Sequence, residues 1–384
     1  MPAIASASVV SLYYVAEVAG AIPVSPAWKP IRYKTGGNSL AYNAERITSE
    51  EVRGDRHRTA DRRGTFSAAG DISCQLAYSA LDDLLEAGFC GTWAAGSTLT
   101  NAGISAASGD SSFNSTALFT QVAGDIIKVS GFVAGANNGL FKVVTATTSK
   151  LTVVSIEGLP VTLVTVVAGP AITIVGQSKL ITGQTRRTFA ILERHTDLGI
   201  DYLYRGMEVD KIALSGKASE KWDVTFSLLG TSQEQLLSLP AGSTFAAATT
   251  TDFMTALDGS LDISGTEFGF CTEYTASVAN GIAQKFVVGS KNSVASVIDT
   301  ITADGTVVAF FDSAAFYNRF LNDTKATMAL IATDGTSAYR LKTPDASYVS
   351  GSKQSSGTDV IVNLTYSAGY NLSANSEFVL ERIA

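Results

Sequence analysis

Residues 48–93, TSEEVRGDRHRTADRRGTFSAAGDISCQLAYSALDDLLEAGFCGTW, join three different signals end to end. The first is a charged run, in which Arg53, Arg56, Arg58, Arg62 and Arg63 stand among Glu50, Glu51, Asp55 and Asp61. Apolar residues recur there at neither the strand nor the helix period, so it reads as an exposed loop. From Thr65 the pattern changes. Ile72, Cys74 and Leu76 alternate with Ser73, Gln75 and Ala77, which predicts a strand with one buried face. A helix follows: Ser79 stands as N-cap with Asp82 three residues on, in the manner of a capping box. Leu81, Leu84, Leu85 and Phe89 share one face, with Asp82, Asp83 and Glu86 opposite on a face expected to meet solvent. Gly88 suits the helix end. The helix is short and amphipathic, and must pack on a sheet.

The rest of the chain fits a β-rich protein. Of 384 residues, 46% are hydrophobic and 16% charged, and 34 are glycine, which excludes wholesale disorder and supplies many turns. A net charge of −7 argues against a general nucleic-acid binder. Cys74, Cys90 and Cys271 form no C-x-x-C pair, so neither a disulfide framework nor a zinc site is expected. The apolar run from Ala3 to Val15 has no Lys or Arg before Lys29, unlike a secretory signal. No apolar run reaches the ~20 residues of a membrane span, and a soluble, unexported protein is expected.

Upstream, Pro23, Pro26 and Pro30 break any helix, and Thr35 to Asn38 marks a turn before a short segment at Ser39 to Tyr42. Residues 103–178 carry few charges and several β-branched runs, as at Ile126, Leu140, Leu151 and Ile172, separated by Gly- and Asn-rich turns. They read as an inserted all-β module. Alternation resumes at Phe189 and is cleanest at Trp222 to Leu228.

Residues 305–320 can be laid on Gly70 to Leu85 without a gap. Gly305 falls on Gly70, Val307, Ala309 and Phe311 on Ile72, Cys74 and Leu76, and Phe316 and Phe320 on Leu81 and Leu85. Beyond, Met328 stands where Phe189 stood, Ser350-Gly351 opens a turn like Ser215-Gly216, and the strand at Val360 parallels that at Trp222. The agreement of order favours a duplication. Before the second strand-helix unit only Ile298 to Asp304 stands in place of the charged loop. The expected domains are 1–102 with 179–240, the insertion 103–178, and 241–384, with a linker at Pro240 to Thr251.

The search for chemistry is negative. No phosphate-binding loop, nucleophile elbow or H-E-x-x-H pair occurs, and His57 and His195 both lie in charged surface contexts. Gly109-Asp110-Ser111 has no histidine partner nearby. No catalytic residue, metal or cofactor is expected. The Arg-Gly-Asp tripeptide at 53–55 is too short to carry an adhesion reading. The charged run either grips phosphate or pairs with a complementary protein surface; Glu50, Glu51 and the acidic whole favour the second.

Taken together, the residues resemble the tail tube proteins of long-tailed, non-contractile phages. The likeness rests on Leu12 to Glu17 followed by Pro23 and Pro26, Asn38-Ser-Leu, Thr48 to Arg53, Asp55-Arg56 and Gly70-Asp-Ile. It continues through Leu84-Leu85, Thr92-Trp93, Arg187 to Glu193, Tyr204-Arg-Gly and Gly289-Ser. The resemblance implies a mainly β chain: two tandem tail-tube-like β-sandwich or barrel domains, each with one packed helix, plus the insertion as surface decoration. It implies a virion structural protein, made in the host bacterial cytoplasm, that assembles with itself into rings stacked as a tube. By the same likeness inner strands join into a lumen through which phage DNA passes without specific binding. The loop Glu50, Glu51, Arg53, Asp55, Arg56, Arg58, Asp61, Arg62 and Arg63 becomes an inter-ring or inter-subunit contact. Tape measure, tail terminator and distal tail proteins become partners. With two similar halves per chain, three chains would close a pseudo-sixfold ring, a true hexamer being the alternative. A capsid-decorating protein or a carbohydrate-binding adhesin would share the composition.

Overall fold

A computed structural model describes residue 6 and residues 9–384, apart from Arg53, Ala168, Ser313 and Thr358. The chain opens with β1 (Val10–Ala16), β2 (Ala27–Ile31), β3 (Tyr33–Asn38), β4 (Ala41–Ile47), β5 (Arg62–Gln75) and α1 (Asp82–Gly88). Seven strands follow: β6 (Thr98–Asn101), β7 (Ser105–Ala107), β8 (Ser112–Asn114), β9 (Ile126–Ser130), β10 (Gly139–Ala146), β11 (Lys150–Ser155) and β12 (Ile172–Gly176). Next come β13 (Ser178–Ile181), β14 (Phe189–His195), β15 (Ile200–Lys217), β16 (Asp223–Gly230), β17 (Ser232–Leu236) and β18 (Thr244–Phe245). Then run β19 (Ser260–Ile263), β20 (Thr266–Glu267), β21 (Cys271–Ala279), β22 (Ala283–Lys285), β23 (Ala295–Val297) and β24 (Thr302–Phe310). The chain closes with α2 (Ala314–Leu321), β25 (Ala326–Thr333), β26 (Ala338–Ser356), β27 (Asp359–Ala368) and β28 (Val379–Ile383). The protein is mainly β, with two short helices among the described residues.

Alternating sequences give the strands one apolar face each, and the largest sheet buries all of them together. Eight strands run antiparallel in the order β4-β5-β16-β15-β21-β24-β27-β26. Ile72, Cys74, Val224, Phe226, Val307, Ala309 and Leu364 point to one side and are fully buried or nearly so. Against that side lie α1, α2 and a second layer of shorter strands. Long strands β15 and β26 bend from one layer into the other. The first part of β15 pairs with β14 and β17, its second part with β16 and β21.

The pairing pattern occurs twice. The β14–β15 ladder slips after Phe189, and the β25–β26 ladder slips after Ala326. Likewise β15–β16 slips after Val209 and β26–β27 after Tyr348. Bulges locally bend a strand and re-aim its side chains, and their recurrence at matching places fixes the correspondence residue by residue. Lys211 matches Ser350, and Ile191 matches Met328. The sequence alignment of Met328 with Phe189 is therefore two residues out. The pairs Ser215-Gly216 and Ser350-Gly351 are not turns: each lies inside a long strand, at non-matching positions.

Gly70 and Gly305 do correspond, for a physical reason. A Cβ on Gly70 would lie 2.4 Å from the Ser39 carbonyl oxygen, and one on Gly305 would lie 2.1 Å from that of Thr275. The neighbouring backbone crosses both glycines at the same place.

Helix α1 begins at Asp82, later than the capping box predicts. Ser79 has φ 59° and its hydroxyl binds Asp82 Oδ2 at 3.1 Å, so no side chain caps the helix. Leu81, Leu84, Leu85 and Phe89 are buried as expected. Cys90, at φ 48°, turns the chain after the helix. Gly88 lets the helix sit on β15: a Cβ there would meet Ile212 Cδ1 at 2.2 Å.

Strands β6 to β12 form a separate sheet in the order β6-β12-β9-β10-β11-β8-β7, with a core of its own around Phe113, Phe132, Phe141 and Leu151. A buried polar joint ties it to the larger body. Arg340 pairs with Glu381, and the Gln177 amide donates to Asp125 at 2.9 Å and Glu381 at 3.0 Å. Arg340 Nη1 also donates to the Gly124 carbonyl at 2.6 Å.

Candidate functional site

Residues of the eight-stranded sheet that point away from the core make a broad open face. On it stand Ser73, Gln75, Thr225, Ser227, Ser215, Thr275, Ser277, Thr306, Asn363 and Thr365, a pavement of small polar side chains. Hydroxyls pair across strands, Ser73 with Thr225 at 2.9 Å and Thr275 with Thr306 at 2.7 Å. The charges are sparse and lean acidic. Asp71, Asp223, Glu273 and Asp304 stand against Lys211 and Lys217, and Asp223 is held by Lys34 at 2.6 Å.

The two ends of this sheet are open. Among the described residues β4 has β5 as its partner on one side only, and the second part of β26 pairs on one side with β27. Val349, at the β26 bulge, is 64% exposed. The matching bulge residue of β15, Asp210, is instead covered: its carbonyl accepts the Asn280 amide at 2.8 Å and its carboxylate the Ile282 amide at 2.6 Å.

The charged run stands between β4 and β5. These strands extend further than the sequence predicts, through the pair Ile47 and Arg62, so Arg62 and Arg63 belong to a strand and the loop is 48–61. A two-stranded ribbon in solvent buries neither face, which is why periodicity missed it. Glu50, Glu51, Asp55, Arg56, Arg58, Asp61, Arg62 and Arg63 are all exposed. Arg53 lies outside the described residues. Within the loop Arg58 pairs with Asp61 at 2.9 Å, and the Asp55 carboxylate accepts the His57 amide at 3.1 Å. Arg46 sits directly opposite Arg63 on the stem, a like-charge cross-strand pair that costs stability by itself.

The acidic face of α1 is not a solvent face. Asp82 pairs with Arg382, Asp83 with Lys29 at 2.5 Å and Glu86 with Arg187 at 3.1 Å. Cations from three distant segments thus clamp one helix. His195 also differs from expectation: it is half-buried, 3.5 Å from Glu193, whereas His57 is exposed. Ser111 donates to the Val161 carbonyl at 2.5 Å and Asp110 pairs with Lys150, so that tripeptide is a satisfied turn. Among the described residues no cluster of three or more His, Cys, Asp or Glu is placed to hold a metal, and no helix is long and apolar enough to cross a membrane.

A hydroxyl-paved sheet open at both ends is the geometry of an assembling wall. The family model for the phage tail tube protein matches residues 7–368, nearly the whole chain and both halves of the repeat. The chain belongs to the phage tail tube protein family. It is a structural protein of the virion tail, and the family is one of self-assembling tube subunits. No curated protein matches the sequence. The extent of the open face and the two bare edges are what sequence reading missed. The period-2 alternation of β16 and β21 held the signal for the face; nothing local held the signal for the edges.

Proposed function

We propose that the protein polymerises as stacked rings of three copies with pseudo-sixfold symmetry. In this reading residues 1–102 with 179–240, and 241–384, act as two equivalent tube domains, and 103–178 decorates the outside. The observation that carries it is the repeated pairing pattern with its matching bulges, which makes one chain two similar wall units side by side. Eight strands per copy give 24 for three copies. At the usual strand spacing and barrel tilt that wall closes at about 50 Å between backbones, and six copies would need about 100 Å. Both bores admit a DNA duplex, but the second leaves far more of its width empty, which favours the trimer over the hexamer.

The open face then lines the lumen. Small hydroxyls and a mildly acidic balance offer phosphates no cationic track, so DNA passes without binding. The loop of Glu50, Glu51, Asp55, Arg56, Arg58, Asp61, Arg62 and Arg63, together with Arg53, joins neighbouring copies. The unfavourable Arg46–Arg63 pairing supports that role, since carboxylates from another copy would relieve it. Tape measure, terminator and distal tail proteins would meet the lumen and the tube ends. Negative-stain microscopy with a mass measurement tests the reading. Rings or tubes built from three-copy units are expected, and monomers at every concentration would sink it. Arg56→Glu with Arg62→Glu should slow assembly with the fold intact; an unchanged rate removes the loop from the contact.

A further inference from the structure

The chain contains one complete joint between wall units, the β15–β21 ladder, and this internal joint specifies an external one. It pairs Lys211 with Ala279, Ala213 with Ser277 and Ser215 with Thr275. The matching strand to β15 is β26, where Ser350 follows the bulge as Lys211 does. The matching strand to β21 is β4. Asn43 faces Ser67 on β5 as Ala279 faces Thr302 on β24, and Ala41 faces Ala69 as Ser277 faces Asp304. Both matching strands present unpaired edges. Exposed edges are templates for pairing with another chain.

The connection after β21 adds a second element to the joint. Residues 280–301 do not stand free; they lie across the first half of their own chain. Gln284 donates to the Gly230 carbonyl at 2.6 Å, Ser296 to Glu208 at 2.6 Å, and Tyr42 to Asn292 at 2.8 Å. The Phe66 amide donates to the Lys291 carbonyl at 2.7 Å, on the edge of β5 just past the end of β16. Between the matching residues Asn43 and Ser67 the stretch 44–66 is nearly as long, 23 residues against 22. By this matching the counterpart of the charged loop is not Ile298 to Asp304 alone: 44–66, with loop 48–61 at its centre, corresponds to the strap formed by 280–301. In the second half the residue matching Phe66 is Ile301, past the end of β27 on the edge of β24. Its amide has no backbone acceptor among the described residues. Asp299 and Asp304, both exposed, flank it.

We propose that the joint between copies repeats the joint within the chain: residues 350–354 of one copy pair antiparallel with residues 39–43 of the next, Ser350 opposite Asn43, and loop 48–61 of that next copy straps across the first copy's second half to reach Ile301. This rests on the reading of the protein as a ring-forming tube subunit. Counting forward from Asn43 or back from Ser67 puts Asp55 or Arg56 at the Lys291 position, so the arginines arrive beside Asp299 and Asp304. Attraction of opposite charge then sets the register. Ala44 and Arg46 of that copy, standing where Asn280 and Ile282 do, cover the exposed Val349 as those two cover Asp210. The loop is accordingly a contact within the ring, between neighbours around the axis.

The test is oxidative cross-linking of assembled protein. The double variant Ser350→Cys/Asn43→Cys places thiols directly opposite across the joint. Gln354→Cys/Asn43→Cys separates them by four strand residues, about 13 Å, beyond disulfide reach. Native Cys74 and Cys90 are buried and do not compete, and the half-buried Cys271 is replaced by serine in both variants. Expected is a covalent dimer and trimer from the first variant and monomer from the second, both showing rings by microscopy. Hydrogen exchange supplies the strap readout: the Ile301 amide should slow at least about tenfold on ring formation. Rings without the Ser350–Asn43 cross-link, or with the shifted pair linked instead, overturn the register and leave the tube reading standing. Rings in which Ile301 exchanges as in the dissociated protein overturn the strap. If no rings form in the wild type, the tube reading fails and this proposal with it.

Discussion

Replacing Gly305 by alanine should destabilise the protein, against the ordinary sign of that change. Within a strand, glycine is normally the worse residue by about 0.5–1 kcal/mol, because it loses more backbone freedom on folding. Here the new Cβ would lie 2.1 Å from the Thr275 carbonyl oxygen and 2.5 Å from the Tyr366 hydroxyl. Neither group is free to retreat. Thr275 is held in ladders with β15 and β24 on both sides. Tyr366 is fully buried, and its hydroxyl shares a 2.7 Å hydrogen bond with that of Tyr274. Overpacking costs about 1–3 kcal/mol, and leaving a buried hydroxyl unpaired about the same again. Less the entropic gain, the net loss is about 3 kcal/mol, or on the order of 1 M in the urea midpoint. Urea unfolding followed by tryptophan fluorescence measures it. Gly109→Ala is the control, since nothing lies within 4 Å of its Cβ position; it should change stability by less than about 0.5 kcal/mol. Gly70→Ala should behave like Gly305→Ala, as both glycines are crossed by the matching carbonyl. A midpoint for Gly305→Ala equal to or above wild type would refute the close approach, and with it the strongest local sign that the two halves share one design.

Other outcomes follow from buried groups. Arg340→Met leaves Glu381, 3% exposed, with only the longer 3.9 Å contact to Lys179 and should cost about 3 kcal/mol; protease cleavage near residues 176–178 should quicken, because Arg340 also donates to Gln177 at 3.3 Å. Burial pushes the Cys74 thiol and the Tyr274 phenol up to about 12. The unfolded chain releases those protons near the ordinary values of about 8.5–10, so stability is complete below that range and falls as pH rises towards 12, by up to about 1.4 kcal/mol per unit for each group. Thermal melts from pH 8 to 11.5 should drop steadily, and a flat profile would contradict the burial. Trp93→Ala removes the ring that lies 4.2 Å from the Arg382 guanidinium, the cation that holds Asp82; about 3 kcal/mol of stability should be lost with the β content by circular dichroism unchanged.

The sequence made legible whatever is buried within one chain. Ile72, Cys74 and Leu76 alternate because one face of β5 meets the core, and Leu81, Leu84, Leu85 and Phe89 repeat because α1 packs on that same core. The β-branched runs of the insertion are legible for the same reason. Misreadings cluster where a residue's environment comes from a distant segment. Asp82, Asp83 and Glu86 read as solvent-facing because their partners, Arg382, Lys29 and Arg187, lie tens to hundreds of residues away. Arg62 and Arg63 read as loop because a solvated ribbon carries no apolar period. The alignments of Met328 and of Ser350 slipped because bulges shift register without leaving a sequence mark.

The charged loop combines both difficulties, and its twin in the second half explains why. The connection 280–301 rests on surface supplied by its own chain, so its contacts with Gly230, Glu208, Tyr42 and Phe66 are visible in a single copy. The connection 48–61 would need the same surface from the second half of another copy, which no single chain can supply. Its lack of periodicity, its like-charged stem and its exposed carboxylates and guanidiniums are what an element displays when its partner is outside the molecule. An element adapted only to solvent would have no reason to set Arg46 against Arg63. The same logic holds for Val349, an exposed valine at a bulge whose counterpart is covered. Where two halves of a chain share a design, the places at which one half is covered and the other bare mark the surface that a second copy should occupy.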